Sequence, residues 1–113
     1  MIHARVKMEL EQKKKDDALQ ILRSIAKRTR SKTGCISCSI YQSIEDTSLI
    51  MFEQFWSSDD AMLRYLRSSD YKKLLLIIEM AMTEPEIRFN TVVHSTGVAT
   101  IEKARMSKRI GDL

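Results

Sequence analysis

Two tyrosines, Tyr65 and Tyr71, flank a Ser68-Ser69 pair in a stretch that otherwise repeats apolar residues at helical spacing. A phenol donates a hydrogen bond to a substrate oxygen and, once deprotonated, acts as a base. Its ordinary pKa of about 10 suits base work at neutral pH poorly. Tyr65 and Tyr71 are the candidate catalytic residues, set against the plainer reading of two amphipathic rings packed in a core. Trp56, Tyr41, Ser39 and Glu53 are the candidate substrate-binding residues. Trp56 ends a strand pattern, where an aromatic lines a pocket mouth or packs inside. Ser37, Ser39 and Tyr41 share a strand face with Cys35, and their hydroxyls line a polar cavity or meet water at a sheet edge. Glu53 lies between Met51 and Phe55 on one strand face. A carboxylate among apolar neighbours needs a partner or a raised pKa, and Arg5 on the neighbouring strand is the expected partner.

Cys35 and Cys38 spell C-x-x-C, a spacing used by redox and metal sites. A redox C-x-x-C sits at a helix start, which this segment does not resemble. On a regular strand, residues three apart point to opposite faces. Two free thiols that do not bond each other are expected. His3 and His94 fall on the first and last strands and would face each other if paired residue numbers summed to about 97. Two histidines need further ligands to hold a metal, and none is evident. The sequence also shows no binding motif for a flavin. The expectation is no metal and no cofactor.

These residues need positioning, and the order of the segments says how. A strand pattern (2–10) precedes a long amphipathic helix (14–31), whose stripe is Ala18, Ile21, Leu22, Ile25, Ala26 and Thr29. Gly34 turns the chain into a second strand reaching Ile44. Glu45-Asp46 turns it into a third, Leu49 to Trp56. Helical pattern runs from Asp59 to Met82, with Ser57 or Ser58 as its N-cap and Ser69 as a second cap where the helix restarts. Tyr71, Leu74, Leu75, Ile78 and Met82 form the second inward stripe, and Pro85 stops the helix. A last strand covers 86–94. The sum is β-α-β-β-α-β, the ferredoxin-like α+β arrangement with an antiparallel sheet.

At 113 residues the chain holds one domain with a modest core. Its longest apolar run, Leu74 to Ile78, is too short to span a bilayer, and the first ten residues do not resemble a signal peptide. No membrane partner and a cytoplasmic location are expected. The net charge of +4 arises from clusters such as 13–15 and 27–32. Interspersed acidic residues make these solvated helix faces rather than a nucleic-acid surface. Both faces of the strands carry apolar residues, while two helices cover only one. A second copy of the chain is the expected cover for the other.

The chain resembles the antibiotic biosynthesis monooxygenase-like (ABM) domains of the dimeric α+β barrel superfamily over about residues 2–93. The resemblance rests on Thr29-Arg30 before Gly34-Cys35, on Tyr41-Gln42-Ser43 with Glu45-Asp46, and on Phe52-Glu53-Gln54-Phe55-Trp56. Asp60-Ala61-Met62 leading to Tyr65-Leu66-Arg67-Ser68, and the closing Glu84-Pro85-Glu86-Ile87, complete it. It implies a homodimeric barrel with helices outside and a pocket between sheet and helices in each subunit. Members include cofactor-independent oxygenases of phenolic or quinol substrates, haem-degrading oxygenases and enzymes that degrade signal molecules. Many members carry a His where Tyr65 stands. The haem-degrading branch uses an Asn on strand one, a Trp near the position of Tyr65 and a His at or near Leu75. None of these is present, so haem degradation is not expected.

Two functions follow as expectations. The first is a cofactor-independent monooxygenase acting on a small phenolic or quinol-type molecule, with Tyr65, Tyr71, Trp56 and Tyr41 at its site. The second is a non-catalytic dimeric module that binds a small molecule or serves in stress. The RNA-recognition fold shares the element order, but strand three has no Gly and strand one no aromatic. Residues 1–95 form the ABM-like domain. Residues 96–113, with Val98, Ile101, Ala104 and Ile110 among basic residues, form an extension expected to dock as an arm across the partner subunit.

Overall fold

The computed structural model describes the backbone of residues 1–111 and the side chains of residues 1–106. The chain runs β1 (Ile2–Glu9), α1 (Gln12–Arg30), β2 (Cys35–Gln42), β3 (Leu49–Trp56), α2 (Asp59–Leu66), α3 (Ser69–Ile78), β4 (Glu86–Thr91) and α4 (Val98–Gly111). The four strands form one antiparallel sheet in the order β2-β3-β1-β4. This is the ferredoxin-like α+β architecture. No helix among the described residues is long and apolar enough to cross a membrane.

Local chemistry explains the boundaries. Gly34 adopts φ +88°, which lets the chain leave α1 and enter β2. A Cβ there would also clash with the Cβ of Ala61, so α2 lies tight against this turn. Ser58 caps α2 by accepting from the Ala61 N–H at 3.2 Å. Ser68, one residue before the expected cap, does the same for α3 through the Tyr71 N–H at 3.2 Å. The helical region ends at Ile78, well before Pro85, and the Met82 N–H then bonds the Glu9 carbonyl.

The helices bury one face of the sheet. β1 contributes Ile2, Ala4, Val6 and Met8 to it, and β3 contributes Ile50, Phe52, Gln54 and Trp56. From α1 come Ala18, Leu22, Ile25, Ala26 and Thr29, and from α3 come Leu74, Ile77 and Ile78. Three residues expected on the inward stripes are exposed instead: Ile21, Leu75 and Met82. Met82 lies beyond the end of α3, and on α3 Ile77 takes an inward place.

Two readings of β2 and β4 need correction. Cys35 pairs with Trp56 but Ser37 pairs with Phe55, so an extra residue bulges out between them. Cys35 and Cys38 therefore both point to the helix-covered face, not to opposite faces, and both are free thiols. In β4 the register places Thr91 opposite Ile2 and Asn90 opposite His3; His94 lies beyond the strand and faces neither.

No helix among the described residues covers the opposite face of the sheet. His3 bonds Glu53 at 2.9 Å and stacks on Phe55 with ring centroids 4.5 Å apart. Arg5 is the cross-strand neighbour of Glu53, yet its guanidinium pairs with Glu86 at 2.9 Å. The expected Arg5–Glu53 pair is thus replaced by two neighbouring pairs. Leu49, Met51, Phe55 and Tyr41 share this uncovered face.

Candidate functional site

The third strand ends in a buried polar relay. Gln54 and Trp56 alternate on the helix side of β3, and α2 brings Tyr65 over them. The Trp56 indole Nε1 donates to Gln54 Oε1 at 3.0 Å, and Gln54 Nε2 donates to the Tyr65 hydroxyl at 2.9 Å. The Trp56 and Tyr65 rings lie 4.9 Å apart, and Tyr71 meets Tyr65 edge-on at 5.5 Å. All three partners of the relay are buried, which matches the rule that buried polar atoms find partners. Gln54 is the residue that sequence reasoning missed. Its one signal is a polar amide among apolar residues on the inward face of β3.

Burial sets the acidity of these groups. Desolvation pushes the Tyr65 phenol up to about 12, against smaller downward pulls from Thr29 and Gln54. Desolvation also raises Tyr71. Neither phenol is suited to take a proton near neutral pH as it stands. Desolvation likewise pushes the Cys38 thiol up to about 12, with Cys35 adding to the rise and Arg30 opposing it.

Between the sheet and α3, beside Gln54, Tyr71, Leu74 and Phe89, there is only about 10 Å³ of free space. That is room for about one water. The larger opening lies at the end of β3. It is a cleft of about 340 Å³ lined by Ser31, Lys32, Thr33, Trp56, Ala61, Arg64 and Tyr65. α1 delivers Ser31 and Lys32 as it ends, the Gly34 turn holds Thr33 beside α2, and α2 delivers Arg64 and Tyr65. The relay aromatics form its floor and the two cations its rim. Lys32 also reaches Asp70 at 3.6 Å, which Arg28 holds at 2.8 Å. Arg64 makes no ion pair among the described residues.

The structure brings together three of the expected site residues, Trp56, Tyr65 and Tyr71, and separates the others. Tyr41 borders a second cleft of about 240 Å³ with Lys7, Leu49 and Met51 on the uncovered sheet face. Ser39 and Glu53 are cross-strand neighbours on that same face. Among the described residues no group of three His, Cys, Asp or Glu side chains is placed to hold a metal ion.

The family model described as antibiotic biosynthesis monooxygenase matches residues 1–75. Among solved structures, a candidate antibiotic biosynthesis monooxygenase from Deinococcus radiodurans superposes with a TM-score of 0.78 at 15% identity, covering 86% of this chain and 97% of that one. A conserved protein from Methanosarcina mazei Go1 gives 0.73 at 22% identity, over 79% and 89%. An antibiotic biosynthesis monooxygenase gives 0.74 at 16%, over 83% and 100%. At these identities the likeness is one of fold. No curated protein matches the sequence.

Proposed function

The chain belongs to the antibiotic biosynthesis monooxygenase family, and on that premise we propose that the cleft beside Trp56 and Tyr65 binds a small phenolic or quinol-type molecule and presents it to O2. The observation that carries this reading is the pairing of an aromatic floor with a cationic rim in a cleft of about 340 Å³. Electron-rich phenols reduce O2 as phenolates. Lys32 and Arg64 favour the phenolate by charge, and the Trp56 and Tyr65 rings, buried beneath the cleft, form its base. The substrate supplies all the electrons. A ring C–H and the phenolic O–H are lost, one oxygen atom becomes a quinone carbonyl, and the other leaves as water. Tyr65 serves here by shape, with Gln54 holding the Tyr65 and Trp56 side chains in register and Tyr71 packed edge-on against Tyr65. The substrate needs no proton taken by a side chain if it binds already ionised.

The same reading includes a homodimer, formed across the uncovered sheet face, and a cytoplasmic setting. Met51, Phe55, Leu49 and Tyr41 lie on that face without a helix above them. A second copy is the partner whose surface has the same twist and area.

A second reading is favoured by one observation. Both phenols near the cleft have their acidity lowered by burial, and no other base lines it. That arrangement also suits a module that binds a phenolate and does not turn it over.

Trp56, the chain's one tryptophan, reports occupancy by fluorescence. A panel of quinols and phenols is titrated while O2 uptake is followed. Quenching with O2 uptake, both weakened about tenfold in Arg64→Ala, supports the oxygenase. Quenching without uptake selects the binding module. No quenching by any phenol overturns the assignment of the cleft.

A further inference from the structure

We infer that α4 is a docking arm for a second copy of this chain, and that its seat is the apolar groove between α1 and α3. Two unpartnered surfaces on one molecule lead to this. The first is α4 itself. Val98, Ile101 and Met106 are 68%, 60% and 64% exposed, and every described side chain of the helix is open to solvent. A helix of 14 residues is marginal in water without a surface to pack on. The second is a groove of about 510 Å³ floored by Ile77 and walled by Ile21, Leu76 and Met80, with Lys73 and Arg28 at one end. Ile21 and Leu76 are 46% and 58% exposed there, a cost to a soluble surface that a partner removes.

The dimensions agree. Val98, Ile101 and Ala104 recur at spacings of three, so the stripe they make spans roughly 9 Å at the helical rise of about 1.5 Å per residue. From Lys73 to Ile77 the groove runs roughly 6 Å along α3 by the same measure, and Met80 in the turn beyond the helix lengthens it. The seat belongs to another copy because the chain's own α4 leads away from its body. Residues 92–97 carry it past the end of β4 with no side chain buried, and the space around the Gly97 Cα is empty.

Single-cysteine variants test the inference. Leu76→Cys and Ile101→Cys are each built in chains lacking Cys35 and Cys38, one with a mass tag, then mixed and oxidised. The expected product is a disulfide-linked heterodimer that neither variant yields alone. No heterodimer overturns the inference. An intramolecular link in a chain carrying both Leu76→Cys and Ile101→Cys, with none between chains in the mixture, moves the arm onto its own groove and also overturns it. Amide exchange on the wild-type chain keeps the test open should the cysteine variants fold poorly. Protection of α4 is expected to rise at least tenfold with protein concentration and to vanish in Leu76→Arg. Fast exchange at every concentration overturns the inference, whatever the activity of the cleft.

Discussion

Gln54 donates to the hydroxyl of Tyr65 at 2.9 Å inside the core, so the one polar atom of this tyrosine points toward the sheet rather than out to solvent. The same amide accepts from Trp56. The two aromatics that floor the cleft are thereby tied to a single buried carboxamide. Binding at the cleft and stability of the core are coupled through it.

The first prediction concerns that bond. Tyr65→Phe leaves a buried Gln54 N–H without its acceptor, a loss of about 1–3 kcal/mol. A thermal melt is expected to fall by several degrees. Loss of stability with turnover kept within about tenfold supports a positioning role. Full stability with abolished turnover would place the hydroxyl in the chemistry instead.

The second concerns alkali. Cys38 has an ordinary value of 9.0 and Tyr65 of 10.0, and burial pushes each to about 12 in the folded chain. Both folded values lie above the unfolded ones. Their contribution is therefore complete below pH 9 and is lost as the pH rises toward about 12, because the unfolded chain releases these protons first. Each group removes at most about 1.4 kcal/mol per pH unit in its window. Urea melts across this range should show the decline. Cys38→Ala is expected to delay its onset; an unchanged slope would contradict the burial of the thiol.

The third concerns association. Light scattering is expected to give twice the 13.1 kDa chain mass. Phe55→Lys, which sets a charge where the His3 ring stacks, is expected to shift the mass toward 13.1 kDa while leaving the helix content intact. A monomer in the unaltered chain at micromolar concentration would remove the sheet-face dimer.

Sequence alone determined the element order and most strand ends, because apolar periodicity and caps such as Ser58 and Gly34 are local signals. It also assigned Trp56 and Tyr65 to one candidate site. It did not reveal Gln54 as the link between them, since a hydrogen bond across 11 positions leaves no periodic trace. It misplaced the cysteines because a bulge between Cys35 and Ser37 breaks the two-residue alternation that strand reading assumes. It paired Glu53 with Arg5 by adjacency, whereas side-chain reach let His3 take Glu53 and Glu86 take Arg5. Lys32 read as a solvated charge in the 27–32 cluster, and Arg64 gave no signal of its own. Only the packing of the α1 terminus against α2 at Gly34 brings them to one cleft. Local patterns set which face a residue takes, and the pairing of distant segments decides whom it meets there.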